Sequence, residues 1–215
     1  MADDSTEGAP LPAGGFSAWL GDMRRAVEGD APSDVPCAGC TGCCRSSQFV
    51  HIGPDEADTL AHIPRALLFP APLMPAGNVL LGYDENGHCP MLVDDRCSIY
   101  AHRPRTCRTY DCRIFPAAGL VPDGHEKRPI AQQARRWRFD FPDEDDHIRH
   151  AAVRAASAYL KEHADRLPAG VAAANATQRA VLAVGVHDAF LGSDAETGRT
   201  VVIEPATETV LALLA

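Results

Sequence analysis

The sequence has no run of roughly 18 apolar residues, the length a membrane-spanning helix requires, so none of it is expected to cross a membrane. It also lacks the basic and apolar opening of a secretory leader, since the first residues read MADDSTEGAPLPAGG. Basic charge is scarce: 20 Lys and Arg stand against 29 Asp and Glu, for a formal net charge of −9. That balance excludes a chain built to coat nucleic acid or an anionic membrane. No Gly-rich nucleotide loop, no H-E-x-x-H pair and no Ser/His/Asp arrangement is legible. Enzymatic activity is therefore left open. Cysteine is absent before position 37 and after position 112, yet between them there are 8.

Those eight are Cys37, Cys40, Cys43, Cys44, Cys89, Cys97, Cys107 and Cys112. Thiols packed so closely are either disulfides or ligands for a soft metal. At 215 residues the chain can bury a core without crosslinks. With no export signal the expected compartment is the reducing cytoplasm, where clustered cysteines hold metal or do redox chemistry. We therefore read them as ligands. Ten of the 20 basic residues fall between Arg96 and Arg138. The simplest account is that they balance the charge of a thiolate cage.

Along the chain, residues 1–14 have the composition of a disordered tail. Phe16, Trp19, Leu20, Met23 and Val27 trace the apolar face of a helix that Gly29 can end. A short strand is expected over Gln48–Ile52, then a helix opened by Gly53-Pro54-Asp55-Glu56 and running through Ile63. The prolines from Pro64 to Pro72 predict a loop. Strands at Asn78–Tyr83 and His88–Val93 flank the turn Asp84-Glu85-Asn86-Gly87, and Asp94-Asp95 makes another turn. Short helical turns broken by Pro104 follow over Ser98–Cys112. Trp137, Phe139 and Phe141 alternate as in a strand and read as core, because the acidic run from Asp143 to Asp146 argues against a nucleic-acid platform. Pro142 and Asp143 start a helix to about Arg166, and a second spans Val171–Leu191. A strand at Thr200–Ile203 and a short helix from Pro205 close the chain.

A Cys-x2-Cys turn places two thiolates on one ion. Cys37, Cys40 and Cys43, spaced by two residues each, match the run that wraps a four-iron cluster in small ferredoxins, and Cys89-Pro90 has the form of its remote ligand. Zinc accepts the same turn, and eight thiolates also divide into two sites of four. The pattern Cys37-x2-Cys40-x2-Cys43-Cys44, then Cys89-Pro90-Met91-Leu92, then Cys97-Ser98-Ile99-Tyr100-x2-Arg103-Pro104-x2-Cys107-Arg108-x-Tyr110-x-Cys112 resembles the CxxCxxCC cysteine-cluster family of YkgJ-like proteins. The resemblance covers residues 37 to 115 and departs at Asp111, where the family often has proline. It implies a zinc- or iron-chelating domain with all eight cysteines as the ligand set. Related clusters occur in longer flagellin lysine methylases, which keeps a methylase-like enzyme acting on a protein side chain as an alternative, beside a zinc-stabilised interaction module.

Around the cysteines, Ile99 and Tyr100 are expected to exclude water, and Arg103 and Arg108 either donate to thiolate sulfur or bond to backbone carbonyls. His88 and His102 read as surroundings of the site rather than ligands. His147, His150 and His163 read as solvated side chains on an exposed helix. The expectation is thus an α+β chain with a small irregular cysteine-rich core and short strands, buttressed by C-terminal helices. Its divisions are a tail at 1–14, a metal-binding domain at 15–141 and a helical extension at 142–215. The expected cofactor is an iron–sulfur cluster or Zn, the former slightly preferred, serving electron transfer or metal handling. Its partners would be the metal and a protein, with no nucleic acid and no membrane.

Overall fold

The computed structural model describes residues 8–29, 35, 39–167 and 171–214. In chain order the first elements are β1 (Leu11–Gly15), α1 (Phe16–Glu28), β2 (Val50–Ile52), α2 (Ala57–Ala61), β3 (Leu68–Pro70), β4 (Val79–Leu81), β5 (Leu92–Val93), β6 (Arg96–Cys97) and α3 (Arg105–Thr109). Then come α4 (Ile114–Ala118), α5 (Arg128–Arg136), β7 (Trp137–Asp140), α6 (Glu144–Glu162), α7 (Ala176–Val186), β8 (Leu191–Ser193), β9 (Thr200–Val202) and α8 (Thr207–Leu214). Helices dominate and the strands form small separate sheets, an α+β chain. It divides into two compact units that interrupt one another in sequence. One takes its residues from Met1–Asp30, Cys112–Asp123 and Ala134–Ala215, the other from Ala31–Asp111 and Gly124–Gln133.

The first unit is helical. Phe16, Trp19, Leu20 and Met23 are buried on one face of α1, while Val27 is exposed and Ala26 takes its place. Gly29 ends the helix at φ 86°, a left-handed cap that favours glycine. At the other end, Gly15 supplies no side-chain cap. Asp146 Oδ1 instead accepts the N–H of Ser17 at 2.7 Å. Hydrogen bonds from the Ser17 side chain, first, and from its backbone hold the Asp146 carboxyl below its usual range, and Asp146 N donates to Asp143 Oδ1 at 3.0 Å as the first bond of α6. One acidic turn therefore starts two helices.

Of the alternating aromatics after Arg136, Trp137 is core, as expected, at 3% exposure, while Phe139 and Phe141 are half-buried, Phe139 packing on Trp19 with ring centroids 4.9 Å apart. Their strand β7 pairs in parallel with β1, Leu11 opposite Trp137. Leu11 to Gly14, read from composition as part of a tail, lie in β1. Pro12 and Gly14 disguise β1, and a break in register between them accommodates both. The helix proposed for Val171–Leu191 begins later, where Asn175 caps Gln178 N at 3.0 Å, and ends at Val186 in a 3₁₀ turn. His150 is half-buried against Phe16 at 4.8 Å and Phe141 at 5.1 Å, not solvated as the sequence suggested, and burial pulls its pKa down.

His187 is 1% exposed in the same unit. Its Nδ1 donates to Val184 O at 2.7 Å. Burial holds its pKa below the usual imidazole value, opposed by the Val184 bond and Asp188 and reinforced by Arg24 and Arg149. The folded protein keeps this ring neutral while the unfolded chain binds a proton near the ordinary value of about 6.5. Its stabilisation is therefore complete above about pH 6.5 and is lost as pH falls through the lower folded pKa. We expect the melting temperature to drop between pH 7 and 5, and His187→Gln to flatten that slope. An unchanged slope in the variant would show that this ring does not set it.

The second unit holds the antiparallel sheet β2-β4-β3 and the β5-β6 hairpin. Val50, Ile52, Ile63, Leu81, Met91 and Ile99 form its core, with Cys89 and Cys97 packed against it. Strand β3 lies where prolines suggested a loop; Pro70 is tolerated because β3 is an edge strand. The turn at Asp84–Gly87 forms as read, with Asp84 Oδ1 accepting from Asn86 N and His88 N at 2.9 and 2.8 Å. The following strand is confined to Leu92–Val93. Asp94 and Asp95 both take positive φ, closing the hairpin to β6.

Candidate metal centre

In the second unit Cys44, Cys89 and Cys97 lie within electrostatic reach of Cys107. Cys44 lies on a 3₁₀ turn over Cys43–Arg45, and its carbonyl accepts the N–H of Cys89 at 2.7 Å. Cys89 O in turn accepts Leu92 N at 2.9 Å, which starts the β5-β6 hairpin. Leu92 stands opposite Cys97 in that hairpin. Cys107 comes from α3, whose first turn closes with Cys107 N donating to Pro104 O at 2.9 Å. Desolvation, then the thiols of Cys89, Cys44 and Cys97, push Cys107 up to about 12, with Arg103 opposing. Cys89 is raised likewise by burial, with Cys97 adding to it. As a residue Cys107 is exposed, yet burial of its thiol contributes most to the rise and the charges of the three neighbouring thiols add to it. A thiol so disfavoured as a lone anion becomes a thiolate readily when a cation shares its charge.

Buried carboxylate chemistry holds α3 in position. Glu56 is 8% exposed; its Oε2 accepts Gly53 N at 2.9 Å and its Oε1 accepts Arg105 N at 2.5 Å. Thr106 Oγ1 donates to His51 O at 2.7 Å, fixing the helix to β2. Arg45 bridges the 43–45 turn to the hairpins through His88 at 3.4 Å and through Asp95. Lys127 Nζ donates to Ser46 O and Ser47 O at 2.7 and 3.3 Å, and burial lowers its pKa. The sequence singled out none of Glu56, Arg45 or Lys127 for these tasks. The turn signal Gly53-Pro54-Asp55-Glu56 was the nearest clue.

The two arginines flagged by the sequence separate. Arg108 faces Glu56 at 4.0 Å. Arg103 lies over the Tyr100 ring at 3.7 Å, within electrostatic reach of Cys107. Its Nε is buried with no hydrogen-bond partner. A buried N–H donor left unsatisfied costs on the order of 1–3 kcal/mol, and a metal-bound thiolate at Cys107 is an acceptor of the type it lacks. Four soft thiols with an unsatisfied cationic donor beside them fit a thiophilic metal.

The remaining cysteines are placed as follows. Cys40 Sγ accepts the N–H of Gly42 at 3.4 Å. Cys43 begins the turn that carries Cys44. Cys112 belongs to the helical unit, where it is buried and its Sγ accepts Trp137 Nε1 at 3.1 Å. Cys37 lies outside the described residues. The seven described cysteines are thiols rather than disulfides. Ile99 is buried in the adjoining core, as expected, while Tyr100 is 53% exposed and serves as the platform for Arg103. His88 bonds to Arg45, and His102 to Asp58.

Comparison with known proteins agrees with this chemistry. Residues 36–135 match the family model CxxCxxCC, described as "Putative zinc- or iron-chelating domain". No curated protein and no solved structure matches the chain.

Proposed function

We propose that the CxxCxxCC segment at residues 36–135 holds a metal centre whose nucleus is Cys44, Cys89, Cys97 and Cys107. What supports this reading is that Cys89 N donates to Cys44 O at 2.7 Å, that Cys89 and Cys97 pack on one core, and that all three thiols lie within electrostatic reach of Cys107. Cys37, Cys40, Cys43 and Cys112 complete the set of eight ligand candidates. Bound there, the metal would gather thiolates from the 43–45 turn, the β5-β6 hairpin and α3, segments otherwise joined by few strands. It would thereby contribute folding free energy to the unit as well as function. The Cys37-x2-Cys40-x2-Cys43 spacing and Cys89-Pro90 favour an iron–sulfur cluster over zinc. The use that follows is electron transfer or metal handling toward a partner protein in the cytoplasm.

The residues around the centre have definable tasks. Arg103 offsets thiolate charge and donates to sulfur. The Met91 and Ile99 side chains back Cys89 and Cys97 with apolar surface, which strengthens charge interactions in the site. The test is anaerobic purification followed by elemental analysis and a visible absorption spectrum. Iron with acid-labile sulfide and broad visible absorption supports the cluster. Zinc without colour moves the reading to a structural or metal-handling centre, and a metal-free folded protein overturns both. Arg103→Met should weaken metal retention roughly 10–100-fold in a chelator competition, the usual scale for groups that support ligands. Unaltered retention would mean that Arg103 merely stacks on Tyr100.

A further inference from the structure

Apart from the cysteines, the second unit brings together one carboxylate and two imidazoles. Asp58 is in the first turn of α2, and His62 is the residue that ends it. His102 ends the 3₁₀ turn Tyr100–His102. The His102 Nδ1 and Asp58 Oδ2 atoms are 2.7 Å apart. His62 Nδ1 is 2.8 Å from Asp58 O and 3.8 Å from Asp58 Oδ1. The two rings stack in parallel, centroids 3.5 Å apart and planes 7° from one another. One ligand atom from each of the three residues lies within 4.8 Å of the other two. The side chains are 72%, 40% and 37% exposed for Asp58, His62 and His102.

We infer that Asp58, His62 and His102 form a second metal site, separate from the thiolates, that takes a divalent cation of the zinc class. Two imidazole nitrogens and one carboxylate oxygen suit Zn²⁺ and its first-row neighbours and give little to soft monovalent metals. Three protein ligands leave a coordination position for water, the arrangement of an open site rather than a closed structural one. Bond lengths near 2.0–2.2 Å require the three atoms to draw together, and exposed side chains at these positions can do so by small rotations. Binding replaces the His102–Asp58 hydrogen bond with two bonds to the metal, the Nδ1 proton leaving and the ring remaining neutral with its proton on Nε2. Exposure and the open position make the bound ion exchangeable, in contrast to one held by four thiolates. A plain capping role explains the His62–Asp58 pair. It does not account for His102, 44 residues from Asp58 in sequence, bonding to the same carboxylate and stacking on the His62 ring.

The test starts from untagged protein purified with its cysteine centre loaded, the metal content measured first. Failure at that step concerns the thiolate reading alone. Zn²⁺ is then titrated by calorimetry. We expect one further equivalent per chain, lost in the His62→Ala/His102→Ala double variant and weakened at least tenfold in Asp58→Asn. His147→Ala should bind as the parent does. The variants are at exposed positions, and unchanged far-ultraviolet dichroism will verify their fold. Absence of any further equivalent, or its full retention in the double variant, overturns the site.

Discussion

Cys107→Ser is expected to strip one metal equivalent from each chain and to leave the second unit poorly folded. A hydroxyl is a poor ligand for a thiophilic ion, and the three remaining thiols would then face one another with no cation to compensate them. Structural thiolate centres carry on the order of 10 kcal/mol of apparent binding free energy, more than most domains have in reserve. Elemental analysis against protein concentration gives the metal content, and dichroism gives the fold. His147→Ala, on the exposed side of α6, should change neither. Full metal retention by Cys107→Ser would remove the observation on which the proposed centre rests, and the ligands would have to be sought among the other cysteines.

Phe16→Ala should be the most damaging single truncation in the helical unit. The ring is 0% exposed and packs against Phe139 edge-on at 5.2 Å, Phe141 at 5.7 Å, Trp19 at 5.7 Å and His150 at 4.8 Å. Removing it leaves a cavity walled by rigid aromatic rings that cannot collapse inward, and such truncations cost about 3–5 kcal/mol. Denaturant unfolding should show the midpoint falling with little change in slope. A loss below about 1 kcal/mol would mean that the aromatic cluster repacks around the gap.

Local periodicity and capping chemistry made α1 and α6 legible: Phe16, Trp19, Leu20 and Met23 repeat at helical spacing, and Asp143 marks a start. That the seven described cysteines are free thiols was legible too, because a chain of this size needs no crosslinks. Several features depend on partners remote in sequence, and no window along the chain reveals them. Ser17 N is capped by Asp146 from 129 residues away. Glu56 bonds to Arg105 N across 49 residues. Strand β1 hides behind Pro12 and Gly14 and exists through its pairing with β7. Arg108 and Arg103 look alike beside Cys107 in the sequence, and the position of the buried Glu56 carboxylate separates them. His102 read as bystander because its relation to Asp58 and His62 is spatial.

The pairing of Leu11 with Trp137 bears on how this protein is made. Ribosomes add about 5–20 residues per second, so β1 leaves the exit tunnel on the order of ten seconds before β7 follows it. Cys107, the last cysteine of the second unit, precedes Trp137 by 30 residues, so that unit's thiols are made a few seconds before β7. The nascent chain can therefore acquire metal while the N-terminal helix still lacks the strand beside it. For the proposed centre, metal supply during translation would then matter before the helical unit can close.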